Sequence, residues 1–318
     1  VSGLHPIVAE RKLEALRHAL GPVVLAALQE RIVLEIMANP DGRIVLDRSG
    51  EGRRDTGSVL TADARERAVR LMADYMGESV ARETPHLSGV LPVTGERFQG
   101  LMPPLVAEAA FSIRKRPAVI WSLADYVLDG VMTAEQARVL KLAAVERRNI
   151  LISGGTGSGK TTLANAVLAE PAFAGDRVFL IEDTAELQCS AWDVVPVLTR
   201  RDPPLGVADL VRDALRMRPD RIVVGEMREG SAALETLKCW NTGHPGGLST
   251  IHANSGEDVP RRLEDLIMEI AAAPPRRMIV EAVQRIVHVS RTPDGRRVDG
   301  VFGIEGLHGD TYALSRLA

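Results

Sequence analysis

Cysteine is nearly absent from the chain: only Cys189 and Cys239 occur, and no CxxC pair exists. That excludes a disulfide framework and a four-cysteine zinc module, and leaves two reduced thiols as the expectation. Aromatic residues are equally scarce at 3%. A net charge of −3, with a pI near 6.2, gives no global attraction to nucleic acid. A single-strand channel would need stacking platforms that this composition does not supply. No apolar run approaches the roughly 20 residues that cross a bilayer. The first ten residues show no basic segment followed by a long apolar one, so no signal peptide is expected. The expectation is therefore a soluble, cytoplasmic protein with no direct nucleic-acid contact. Any peripheral membrane association would run through partners or surface contacts.

What is present is an ordinary globular composition over 318 residues, which at roughly 100–200 residues per domain implies two domains. Residues 1–114 alternate helix and strand signals. Arg11 to Gln29 has apolar residues at helical spacing, including Leu13, Leu16, Leu20 and Val24. Strands are expected over Ile32–Met37 and Arg43–Asp47 around the turn Asn39-Pro40-Asp41-Gly42, and Thr61 is placed to cap a helix to about Tyr75. Gly89–Val93, Arg97–Leu101 and Ala110–Arg114 read as further short strands, completing a small α+β domain. Residues 115–121 read as a linker containing Lys115-Arg116-Pro117, with a hinge at 115–118, because the residue before proline avoids helix.

Residues 122–318 have a different rhythm. Ser122 with Asp125, and Thr133 with Gln136, fit capping boxes for two lead-in helices. Strands are expected at Asn149–Ser153, Val178–Ile181, Ile222–Val224 and Leu248–Ile251, with helices between them, one running from Thr161 to about Glu170. That alternation predicts an α/β domain with a mainly parallel sheet covered on both faces. Beyond Thr292 a hairpin is expected around Pro293-Asp294-Gly295, with no chemistry assigned to it.

Gly154, Gly155, Thr156, Gly157, Ser158, Gly159, Lys160 and Thr161 match GxxxxGK[ST] in full, between an apolar strand and a helix. Glycines let successive backbone N–H groups turn inward around a β-phosphate, and the helix adds its positive end. Lys160 is expected to bridge the β- and γ-phosphates, Thr161 to offer a hydroxyl to Mg²⁺, and Thr162 to lie near the α-phosphate. The cofactor expectation is ATP with Mg²⁺. A carboxylate must then stand across the site. Glu226 follows the strand Arg221–Val224, with Gly225 where a Walker B aspartate usually stands, and Glu182 follows Val178–Ile181, with Glu186 one turn on. The division of catalytic and metal-positioning duty between Glu226 and Glu182 is open at this point. A glycine-rich run from Thr242 to Ala253 places His252 at a strand end, either as an ordinary hydrogen-bonded histidine or as a sensor of the γ-phosphate. His244 and His252 lack zinc spacing.

Together GGTGSGKTT, IEDTAEL, LRMRPDRIVVGEMR and TGHPGGLSTIHANS resemble the Walker A, Asp-box, Walker B and His-box motifs of the secretion ATPase superfamily, across roughly residues 90–260. NPDGRIVLDR, GERFQGLMPP and FSIRK further resemble the TrbB-type conjugal transfer ATPases. The resemblance implies a RecA-like domain preceded by a smaller α+β domain, in a homohexameric ring. ATP would lie between the domains of one protomer and against a neighbour. It implies ATP hydrolysis energising conjugative transfer or type IV secretion, through inner-membrane channel proteins at the cytoplasmic face. Arg97 and Arg114 become candidates to neutralise γ-phosphate charge, with Arg216 and Arg228 beside the Walker B strand, and the adenine is expected near Leu123–Tyr126. The four-cysteine insertion of type II secretion relatives is missing, and no long segment precedes the first domain; both favour the conjugation branch. A pilus-retraction ATPase, a type II secretion ATPase, a RecA-like DNA translocase and a nucleotide-gated scaffold are the alternatives.

Overall fold

A computed structural model describes residues 6–48, 50–115, 120–200, 204–292 and 295–318. The chain divides into two compact units, Val1–Ala118 and Val119–Ala318.

The first unit runs α1 (Pro6–Gln29), β1 (Val33–Ala38), β2 (Arg43–Arg48), β3 (Gly52–Val59), α2 (Ala62–Met76), β4 (His86–Val90), β5 (Arg97–Leu101) and β6 (Ala110–Arg114). Its sheet has the order β3-β2-β1-β6-β5-β4, antiparallel throughout. The core packs residues of both helices, such as Leu20 and Met72, against Ile36, Phe98 and Ile113. The expected helix over Arg11–Gln29 is not continuous. Gly21 takes φ 75° and precedes Pro22, so the chain kinks where proline restricts its predecessor and removes an N–H. Thr61 caps α2 as expected, accepting from the Ala64 amide at 3.3 Å. The strand expected at Gly89–Val93 sits three residues earlier, because residues 91–95 form the turn into β5, closed by Gly95 N–H donating to the Leu91 carbonyl at 3.0 Å.

Arg65, only 1% exposed, is the hub of this unit. Its guanidinium donates to the carbonyls of Pro40 (2.7 Å) and Ala109 (2.6 Å), to that of Leu60, and to Glu108 (2.5 Å). Five donors on one rigid fork thus satisfy backbone from three separate segments, which lysine cannot do.

The second unit runs α3 (Leu123–Leu128), α4 (Ala134–Val145), β7 (Ile150–Ser153), α5 (Lys160–Leu168), β8 (Arg177–Glu182), β9 (Asp193–Leu198), α6 (Val207–Ala214), β10 (Arg221–Val224), α7 (Gly230–Asn241), β11 (Leu248–Ile251), α8 (Val259–Met268), α9 (Arg276–Ala282), β12 (Arg285–Thr292), β13 (Gly295–His308) and β14 (Thr311–Arg316). Its sheet order is β14-β13-β12-β7-β11-β10-β8-β9. The six strands from β12 to β9 are parallel, and β13 and β14 extend the edge antiparallel. Every residue of β7, β10 and β11 is buried, as strands covered on both faces require. Ile150 and Ile152 point into the core under α3, α4 and α5, whereas Leu151 points into the one under α6 to α9. Alternation along one strand thus feeds two cores. Both capping boxes are present, at Ser122 with Asp125 and Thr133 with Gln136.

Three strands were not anticipated, all on sheet edges: β3, mostly exposed and without an apolar run; β9, whose apolar residues Val194–Leu198 are interrupted by Pro196; and β14, mostly half-buried. The expected hairpin beyond Thr292 joins β12 and β13, paired in register from Thr292 with Gly295; its Pro293 and Asp294 lie outside the described residues. The expected hinge at 115–118 lies outside them too, apart from Lys115, whose ammonium donates to the carbonyls of Glu30 (2.6 Å) and Ala27 (3.2 Å) at the end of α1. Burial lowers its pKa.

Candidate active site: the phosphate loop and the acids facing it

The loop between β7 and α5 is shaped by what glycine omits. At Gly154, φ is 154° and a β-carbon would lie 2.2 Å from the Val289 carbonyl oxygen, so strand β12 presses directly on the loop. At Gly159, φ is 102° immediately before the first residue of α5, which suits only glycine and turns the loop into the helix. Gly155 and Gly157 line open space, and Thr156 is exposed. Ser158 is 2% exposed, and its hydroxyl oxygen is buried with no hydrogen-bond partner among the described residues. Thr161 and Thr162, half-buried, occupy the first turn of α5.

Lys160 lies back along the loop. Its ammonium donates to the Gly155 carbonyl at 3.0 Å and the Gly154 carbonyl at 3.1 Å, and sits 3.3 Å from His252 Nδ1. On the other side of the ring, His252 Nε2 is 2.9 Å from Glu226 Oε1, at an angle that does not make a hydrogen bond, so that buried oxygen remains unsatisfied. Glu226 Oε2 accepts from Arg228 Nε, and the Arg228 guanidinium is 3.7 Å from Asp183. Burial first, and then the charge of Lys160, hold His252 below the usual histidine pKa, while Glu226 pulls upward. The imidazole is therefore neutral at pH 7 and lies between the Lys160 ammonium and the Glu226 carboxylate.

Glu182 ends β8, 5% exposed, and its Oε1 accepts from the Glu186 and Leu187 amides, each at 2.9 Å. The following loop is tied to α5 by Asn165, which accepts from the Gln188 amide at 2.9 Å and donates to the Glu186 carbonyl at 3.1 Å. Asn165 escaped the sequence analysis; a lone amide among the apolar residues Leu163–Leu168 is its only signal. Asn149 escaped it too: wholly buried, it accepts from the Gly246 and Gly247 amides at 2.8 and 2.9 Å and so sets the glycine loop that leads to His252.

The remaining candidates lie on other elements. Tyr126 is 4% exposed, packed edge-on against Trp121 at 5.8 Å, and burial pushes its pKa up to about 12. Arg216 is exposed beyond α6. In the first unit Arg97 and Arg114 stand directly opposite each other in the antiparallel pair β5–β6, which puts two like charges on one face. Cys189 and Cys239 are both free thiols, and burial raises the pKa of each, Cys239 to about 12.

Residues 97–297 match the family model described as type II/IV secretion system protein. The chain belongs to that family. As a secretion ATPase it is 45% identical over 306 residues to a probable conjugal transfer protein TrbB of Sinorhizobium fredii, covering 96% of this chain and 93% of the relative. It is 33% identical over 318 residues to the type IV secretion system protein PtlH of Bordetella pertussis, covering 88% and 93%. In fold, this secretion ATPase is similar to the pilus retraction motor PilT with bound ADP, at a TM-score of 0.63 and 20% identity, covering 88% of this chain and 80% of that one. The RecA-like assignment of the second unit, with a smaller α+β unit before it, and the ATPase assignment both stand, and nucleotide binding with them.

Proposed function

We propose that this secretion ATPase hydrolyses MgATP to energise conjugative transfer through a type IV secretion apparatus, acting as a homohexamer at the cytoplasmic face of the inner membrane. The observation that carries the reading is the line Lys160–His252–Glu226, which joins the phosphate loop to the acid after β10. The names of full-length relatives, a conjugal transfer protein and a type IV secretion protein, support the transport assignment.

The chemistry follows from these side chains. The β-phosphate offers Lys160 a charged acceptor, stronger than the two carbonyls it now holds. Water attacks the γ-phosphorus, the bond to the β–γ bridging oxygen breaks, and the water proton passes to a carboxylate. Glu226, whose buried Oε1 has an open acceptor position, is assigned that task. Glu182, held by two amides, is assigned to positioning. The Thr161 hydroxyl, half-buried in the first turn of α5, suits a single protein oxygen on an ion held mainly by phosphates. Mg²⁺ would neutralise β- and γ-oxygen charge, with the Thr161 hydroxyl as its protein ligand. Arg97 and Arg114 are assigned to γ-phosphate charge, a role worth roughly 10³–10⁵ in rate elsewhere.

Loss of the γ-phosphate would release Lys160 back toward His252, and this change of partners is the proposed start of the power stroke. Steady-state phosphate release tests the reading. The unmodified chain turns over MgATP, and Lys160→Ala does not while keeping its circular dichroism spectrum. Normal turnover by that variant overturns it. Native mass with nucleotide should give six copies, and stimulation by single-stranded DNA would favour a translocase instead.

A further inference from the structure

Strand β13 starts beside the phosphate loop. The Val298 amide donates to the Val131 carbonyl at 2.8 Å and its carbonyl accepts from Gln136 at 3.2 Å, which fixes the strand on the α3–α4 connection. Two residues earlier, Arg296 lies along Gly159. A β-carbon there would be 2.9 Å from Arg296 Cδ, 3.2 Å from Nε and 3.6 Å from Cζ. Among the described residues the Arg296 side chain has no hydrogen bond or ion pair, and it is exposed. Its guanidinium, the Lys160 ammonium and the positive end of α5 thus converge on one loop, with no carboxylate of the described residues bonded to the arginine. Such an arrangement is repulsive by itself and favourable around an anion. A second observation pointing to an anionic acceptor is the buried Ser158 hydroxyl, which has no partner among the described residues.

We infer that Arg296 is a nucleotide-binding residue that grips the α/β end of the phosphate chain from outside the loop, opposite Lys160. The inference rests on the nucleotide reading of the loop. It gives the carboxy-terminal hairpin, for which the sequence offered no chemistry, a contact with the substrate. Gly159 is required here for a second reason: any side chain would displace the arginine. A charge-assisted fork on phosphate also explains why arginine rather than lysine stands at this reach.

The test is competition by ADP and by inorganic pyrophosphate, each with Mg²⁺, against a fluorescent ADP analogue on the full chain. Arg296→Ala and Arg296→Gln should weaken both competitors about tenfold or more. Arg296→Lys, which keeps the charge, should recover part of the loss and guards against a folding artefact in the other two. Weakening of ADP with pyrophosphate unchanged would place Arg296 on the base or ribose and overturn the inference, as would unchanged affinity for both. Failure of the unmodified chain to bind ADP would instead strike the nucleotide reading beneath it.

Discussion

Glu182 fills the space that a side chain at residue 225 would take: a β-carbon on Gly225 would lie 3.1 Å from Glu182 Cγ and 3.6 Å from its Oε1. β8 and β10 are parallel neighbours with Ile181 beside Val224, so the acid of one strand leans over the bare backbone of the other. The position where a Walker B aspartate would stand is thus occupied, in space, by the carboxylate of the next strand. Gly225→Ala should push Glu182 away and lower kcat about tenfold to a hundredfold with little change in melting temperature. Measured kcat equal to that of the unmodified chain would remove Glu182 from the positioning role.

His252 makes the rate sensitive to acid. Its folded pKa is lowered, so a proton is taken up only when pH falls below the ordinary histidine value of 6.5 and through the depressed one. The charged ring cannot accept from Lys160. Turnover should therefore fall on the acid side, and His252→Gln should lose that limb while keeping a reduced, flatter rate. A pH–kcat profile of both proteins decides it.

His288 should govern stability over a similar range by a different route. It is 7% exposed, shares a 2.9 Å hydrogen bond between Nδ1 and the Ser153 hydroxyl, and burial lowers its pKa. The unfolded chain then binds more protons than the folded one between the ordinary and the depressed pKa. Stability is full above pH 6.5 and declines as pH falls through that interval. Urea midpoints against pH should show this decline, and His288→Asn should shallow it.

Asp176 holds two arginines, Arg221 at 2.5 Å and Arg147, while the Arg221 guanidinium, 2% exposed, lies 4.3 Å over the Phe173 ring. Removing the acid strands a buried cation. Asp176→Ala should cost about 3–5 kcal/mol, read as a shift of the denaturant midpoint. Tolerance of alanine there would show that Arg221 is satisfied by the carbonyls of Ala144, Ala172 and Gly246 alone.

Arg97→Ala and Arg114→Ala should each lower kcat by at least about tenfold and leave ADP affinity within about twofold, since the γ-phosphate is absent from ADP. Equal losses for ATP and ADP would reassign both residues to binding.

The motifs were legible because each is a local demand. Glycine at the loop, serine and threonine at the caps, and apolar strands ending in acid follow from backbone geometry that neighbours in the chain impose. Arg97–Leu101, Ala110–Arg114 and Leu248–Ile251 were placed to the residue for the same reason. Sequence alone therefore determined that a phosphate loop exists, that a parallel sheet carries it, and which acids end the strands beside it.

Only the tertiary structure decided which of those groups meet. Lys160 and His252 are 92 positions apart, and Arg296 approaches Gly159 from a hairpin that shows no motif. Edge strand β3 lacked a pattern because it buries too little to need one, and Pro196 disguised β9, a proline that only a strand at the sheet edge tolerates. The kink at Gly21 and the buried amides of Asn149 and Asn165 likewise have meaning only against partners distant in the chain. Local chemistry is written residue by residue, whereas contact depends on how a sheet orders its strands, and that ordering is set by burial of the whole core.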